Sequence, residues 1–67
     1  MPLVEIHLLE GRTAEQKRKI LEAVTRAIQE STGSPLEGIR VWIHEMKLTD
    51  FMAAGVTAAE RRARGEL

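Results

Sequence analysis

The chain has 67 residues, ten basic and ten acidic side chains, no cysteine and no net charge. A chain this short is a single domain, residues 1–67, with a marginal core; disulfides are excluded as reinforcement, and so are zinc-like clusters, because His7 and His44 lie far apart without thiolate neighbours. Balanced charge, apolar runs too short for a bilayer and the lack of a basic-then-apolar leader argue against nucleic-acid and membrane partners, so the expectation is a cytoplasmic protein stabilised by oligomerisation.

Pro2 follows the initiator methionine directly. Inside a peptide its nitrogen is a planar, non-basic amide. Once Met1 is removed it becomes a secondary amine that can take a proton. A strand directly behind it would hold that amine in place. The plainer reading is that Pro2 only opens an edge strand, where proline is tolerated.

Leu3 to Leu9 reads as that strand, with Val4, Ile6 and Leu8 on one face and Leu3, Glu5, His7 and Leu9 on the other. Glu10-Gly11-Arg12 makes a turn, and Thr13 with Gln16 three residues on has the form of a capping box. A helix is expected from Ala14 to Thr32, its apolar stripe formed by Ile20, Leu21, Val24, Ala27 and Ile28. Lys17, Arg18 and Lys19 read as a solvated face. Gly33 is placed to end the helix in a left-handed cap, and Pro35 prevents its resumption.

After a short turn through Leu36 to Gly38, residues Ile39 to Met46 alternate. Ile39, Val41 and Ile43 share one side; Arg40, Trp42, His44 and Met46 share the other. Strand, helix and strand in this order imply a right-handed crossover between parallel strands, with the helix over the Ile39, Val41 and Ile43 side. The opposite side would then need a subunit interface to cover it. In the tail, Asp50-Phe51-Met52 and Gly55-Val56 flank Ala53-Ala54 as in a small hairpin; alternatively Thr57 and Glu60 cap a short helix through Arg64. Arg61, Arg62 and Arg64 read as solvated. The fold class expected is α+β, a small β-α-β unit with a short C-terminal hairpin.

Pro2 at the start of a strand, the run Ile6-His7-Leu8-Leu9-Glu10-Gly11-Arg12, the helix opening Thr13-Ala14-Glu15-Gln16-Lys17, and Ile39-Arg40-Val41 leading to Glu45-Met46 are together similar to the 4-oxalocrotonate tautomerase family of the tautomerase superfamily. The resemblance covers nearly the whole chain. It implies that Pro2 is a catalytic general base and then acid, and that Arg12 binds or polarises a substrate carboxylate. It further implies that Arg40 reaches a neighbouring active site to meet the 2-keto or 2-hydroxy oxygen and adjoining carboxylate, and that Phe51 keeps the pocket apolar, with Leu9 in the same wall. A homohexamer built as a trimer of dimers, with no cofactor and no metal, belongs to the same implication.

Two features depart from the family pattern. Trp42 stands where an aliphatic residue is more usual, so it could narrow a substrate pocket or fill an interface. Phe51-Met52-Ala53-Ala54-Gly55 lacks the usual glycine-rich character. The tail also resembles family members from biosynthetic settings.

The chemistry implied is conversion of 2-hydroxymuconate-like or related 2-hydroxydienoate acids to conjugated 2-keto acids. One amine can remove the enol proton and return it to a distant carbon, provided it is unprotonated near neutral pH. An apolar pocket beside cationic groups favours that state. Arginine stays charged and offers a planar fork to carboxylate, so two of them suit a dicarboxylate. A related Pro2-dependent hydratase, dehalogenase, decarboxylase or biosynthetic enzyme is the alternative, as is a non-catalytic oligomeric module binding small anions. Taken singly, Arg12 could be a turn residue, Arg40 an interface ion pair, and Phe51 and Trp42 packing groups. His7 and His44 read as polar interface or surface residues without a catalytic role.

Overall fold

A computed structural model describes residues 1–67. Strand β1 spans Leu3–Leu9, helix α1 Ala14–Thr32 and strand β2 Arg40–Met46. β1 and β2 pair in parallel from Leu3 opposite Arg40 to Leu9 opposite Met46. The α+β reading and the parallel β-α-β unit are therefore as expected.

Helix α1 starts where its capping box places it. The Thr13 side chain accepts from the Gln16 N–H at 3.1 Å, and the Gln16 side chain accepts from the Thr13 N–H at 2.9 Å. It ends at Gly33, whose φ of 74° lets its N–H reach back to the Gln29 carbonyl, a conformation costly for any residue with a β-carbon. The half-buried face of α1 carries Lys17, Ile20, Leu21, Val24, Thr25, Ile28 and Gln29. Ala27 is exposed and does not belong to the stripe. Lys17 is likewise not on a solvated face: its Nζ lies 3.1 Å from Glu45 Oε1, because Glu45 projects from the helix-covered side of β2.

β2 begins one residue later than its alternation suggests. Ile39 instead closes the 3-10 turn Leu36–Gly38, its N–H donating to the Leu36 carbonyl, and is one of only two buried residues in the chain. The other is Ala58.

In the tail, a 3-10 turn at Leu48–Asp50 leads to β3, Met52–Ala53, which pairs antiparallel with β4, Val56–Thr57. The hairpin turn is Ala54-Gly55 rather than Ala53-Ala54, both residues having positive φ, 54° and 78°. That is the sign pattern of the turn whose twist matches two strands. The hairpin and the capped helix are not alternatives. Thr57 ends β4 and also caps α2, Ala58–Ala63, through a second capping box with Glu60.

One chain cannot make a core from these parts. Parallel strands are normally covered on both faces, yet α1 covers only the side of Val4, Ile6, Leu8, Val41 and Ile43. The radius of gyration is 15.1 Å, against roughly 11 Å for a compact domain of this length. Leu3, Trp42, Phe51 and Met52 are all left exposed.

Candidate active site

The open face of the sheet carries four cross-strand pairs: Leu3 with Arg40, Glu5 with Trp42, His7 with His44, and Leu9 with Met46. Directly opposed residues of parallel strands project to the same side, and the two central pairs are in side-chain contact. Trp42 Nε1 donates to Glu5 Oε2 at 3.1 Å. His7 Nε2 lies 3.3 Å from Glu5 Oε1, and the His7 and His44 rings meet at 5.4 Å between centroids. The Glu5 carboxylate thus has a polar group at each oxygen.

Pro2 stands at the N-terminal end of this face. Its carbonyl accepts from the Arg40 N–H at 3.0 Å, continuing the parallel ladder one residue beyond β1. Pro2 is half-buried while Met1 is exposed. With Met1 attached the Pro2 nitrogen is an amide; its removal leaves a secondary amine beside the first rung of the sheet. The Arg40 side chain is exposed on the open face and donates through Nη1 to the Glu37 carbonyl.

Leu9, Arg12 and Phe51 belong to the other end. Glu10 N–H donates to the Met46 carbonyl, and Glu10 Oε2 accepts from the Leu48 N–H at 2.8 Å, tying the first turn to the start of the tail. Arg12 is exposed and donates only to the Leu9 carbonyl, at 3.4 Å. Phe51 is exposed, with its backbone carbonyl held by the Ala58 N–H. Seven residues of parallel strand, at about 3.3 Å each, put roughly 20 Å between the two ends. The structure therefore brings Pro2 and Arg40 together and keeps Arg12, Leu9 and Phe51 away from them within one chain.

Nor does one chain hold them in a cavity. Two open grooves flank β2, of about 480 and 370 Å³. The first, against α1, is lined by Leu21, Leu36, Ile39 and Val41 with polar residues of the helix, and contains none of the six residues picked out in the sequence. The second contains Trp42 alone among them. No three His, Asp or Glu side chains are grouped to hold a metal ion.

A model of the family described as "Tautomerase enzyme" matches residues 2–61, beginning at Pro2. The chain belongs to the tautomerase family. It is an isomerase of that family. The 2-hydroxymuconate tautomerase of Comamonas testosteroni is 47% identical over 60 residues, which span 90% of this tautomerase and 95% of that relative. Among solved structures, TomN, a 4-oxalocrotonate tautomerase homologue in the tomaymycin biosynthetic pathway, superposes with a TM-score of 0.88 at 39% identity. That match covers 92% of this chain and 95% of TomN. A heterohexamer 4-oxalocrotonate tautomerase from Chloroflexus aurantiacus J-10-fl has a TM-score of 0.85 at 35% identity, covering 90% of this chain and 97% of that one.

The tail of this tautomerase holds one placement that its sequence does not announce. Arg62, just beyond the family match, lies over Gly11: its Nη2 and Nη1 are 3.5 and 3.9 Å from where a β-carbon on that glycine would stand. No local pattern signals this, because it depends on α2 folding back from the hairpin to the first turn. Arg61 and Arg64 instead both pair with Glu66. No helix is long and apolar enough to cross a membrane.

Proposed function

We propose that this tautomerase converts 2-hydroxymuconate-like or related 2-hydroxydienoate acids to conjugated 2-keto acids, with the Pro2 nitrogen, freed by removal of Met1, as base and then acid. The amine takes the enol proton and returns it to the distal carbon, so no cofactor enters the reaction. Arg12 and Arg40 orient carboxylate groups and stabilise charge on the substrate oxygens. Leu9 and Phe51 keep the pocket dry.

The observation that carries this reading is the separation of these groups in one chain combined with the open sheet face. If Pro2 needs guanidinium groups and an apolar wall, they must come from another copy. The resemblance supplies a homohexamer, a trimer of dimers, in which Pro2 of one chain meets Arg12, Leu9 and Phe51 of a second, with Arg40 reaching in from a neighbour. Trp42, already bound to Glu5 on the open face, fills the interface rather than the pocket.

The test is turnover of 2-hydroxymuconate by assembled protein whose intact mass shows that Met1 is absent, beside a Pro2→Ala variant. A drop of about a hundredfold or more in kcat for the variant supports the assigned proton-transfer role. Equal turnover by the two proteins rejects it.

The similarity to TomN supports a second reading, in which the same site acts on a biosynthetic intermediate. Comparing 2-hydroxymuconate with other 2-hydroxydienoates and with phenylenolpyruvate separates the two by kcat/KM.

A further inference from the structure

We infer that Trp42 is a positioning residue for the proposed reaction: together with His7 it holds the Glu5 carboxylate, keeps it off the Arg40 guanidinium and so leaves Arg40 free for substrate. The inference rests on the role proposed above for Arg40 and adds to it the means by which that charge stays unpaired.

The register of the sheet creates the need. The open face carries Leu3, Glu5, His7 and Leu9 from β1 and Arg40, Trp42, His44 and Met46 from β2. Glu5 is its only carboxylate and Arg40 its only guanidinium. Arg40 stands opposite Leu3 and Trp42 opposite Glu5, so Glu5 and Arg40 are diagonal neighbours across the two strands. Two residues of rise and one strand spacing put their backbones roughly 8 Å apart, a gap that two long side chains can close. Elsewhere in this chain arginines with a glutamate in reach do pair, Arg26 with Glu22 and both Arg61 and Arg64 with Glu66.

Arg40 does not. Its Nη1 donates to the Glu37 carbonyl, in the turn before β2. Both Glu5 oxygens are taken by other groups: Oε2 accepts from Trp42 Nε1 at 3.1 Å, and Oε1 lies 3.3 Å from His7 Nε2. The His44 ring, 5.4 Å from that of His7 between centroids, stands on the other side of the imidazole. These four side chains share one face of two paired strands, so the arrangement is complete within one chain.

The proposed chemistry requires the separation. A guanidinium that meets a carboxylate in a fork commits its donors to it, and the attraction between the two charges grows as water leaves the site. A Glu5–Arg40 pair would compete with the substrate carboxylate for the same donors. An aliphatic side chain at position 42 would offer Glu5 no N–H, and the indole does.

The experiment measures kcat/KM for 2-hydroxymuconate with processed wild type, Trp42→Phe, Glu5→Gln, the double variant and Arg40→Gln, each shown to assemble by size-exclusion chromatography. Trp42→Phe keeps a ring on the face and removes the N–H. It is expected to lower kcat/KM about tenfold, the scale of one charge-assisted hydrogen bond, as Glu5 turns to Arg40. Adding Glu5→Gln, which cannot form the ion pair, should return kcat/KM to that of Glu5→Gln alone. A Trp42 that only packs gives no such rescue. Trp42→Leu, with and without Glu5→Gln, serves as the measure if the phenylalanine variant assembles poorly. Unchanged kcat/KM in the Trp42 variant, or a loss that Glu5→Gln does not recover, overturns the inference alone when Arg40→Gln is impaired. No loss in Arg40→Gln overturns the role of Arg40 with it.

Discussion

The Arg40 N–H donates to the Pro2 carbonyl at 3.0 Å, so the proposed base and one proposed anion-binding residue are neighbours across the first rung of the parallel ladder. Arg12 is a full strand length away. If Pro2 and Arg12 act on one substrate, as proposed, they come from different chains.

Complementation between chains follows. Pro2→Ala and Arg12→Gln subunits, each nearly inactive alone, should regain activity when unfolded together and reassembled, because a mixed pair contains one site with both groups intact. Size-exclusion chromatography checks that each variant assembles. Failure to regain turnover in demonstrably mixed oligomers would place Pro2 and Arg12 of the same chain in one site.

With Pro2 as the base, kcat/KM should rise with pH along the acidic limb as the amine loses its proton; an acid role gives the opposite slope. The profile should be recorded on protein proved by mass to lack Met1. Protein retaining Met1 has only an amide nitrogen at Pro2 and should be inactive at every pH.

Trp42 reports on the open face. Its indole is exposed in the single chain, next to Glu5 and His44. Covered by another copy, it should emit at shorter wavelength in the oligomer and shift to longer wavelength on dissociation by dilution. Trp42→Ala should weaken assembly by about 3 kcal/mol, the lower end for truncating a buried tryptophan. A solvent-like emission from the intact oligomer would put some other surface at the interface.

Ala54 occupies the first left-handed position of the hairpin at φ 54°. A β-carbon there is unfavourable by about 1 kcal/mol, and asparagine tolerates the conformation better. Ala54→Asn should therefore raise stability by up to about 1 kcal/mol, seen as a higher denaturation midpoint. Gly33→Ala, at φ 74° in the cap of α1, should lower it by about as much. Opposite signs at two left-handed positions distinguish a backbone effect from lost contacts.

Much of the molecule was legible from local chemistry. The Thr13–Gln16 box and Gly33 bound α1 at the residues expected, since caps act within a few residues. Alternation in β1 and β2 correctly separates the helix side from the open side. Ile39 misled because a residue closing a turn can be buried as thoroughly as one in a strand. Lys17 and Ala27 misled because helix periodicity defines a stripe without saying how far a long side chain reaches or how wide the covering sheet is. The placement of Pro2 beside Arg40 is decided by strand register, and that of Arg62 over Gly11 by a hairpin and helix folding back.

The sequence alone determined the elements, their parallel order and the family resemblance, because capping, alternation and crossover handedness are properties of a short stretch of backbone. Only the tertiary structure decided that Pro2 stands beside Arg40 across the first rung of the sheet and that α2 brings a second guanidinium to the first turn. Those are distances between residues remote in sequence, set by register and packing, and no local pattern encodes them.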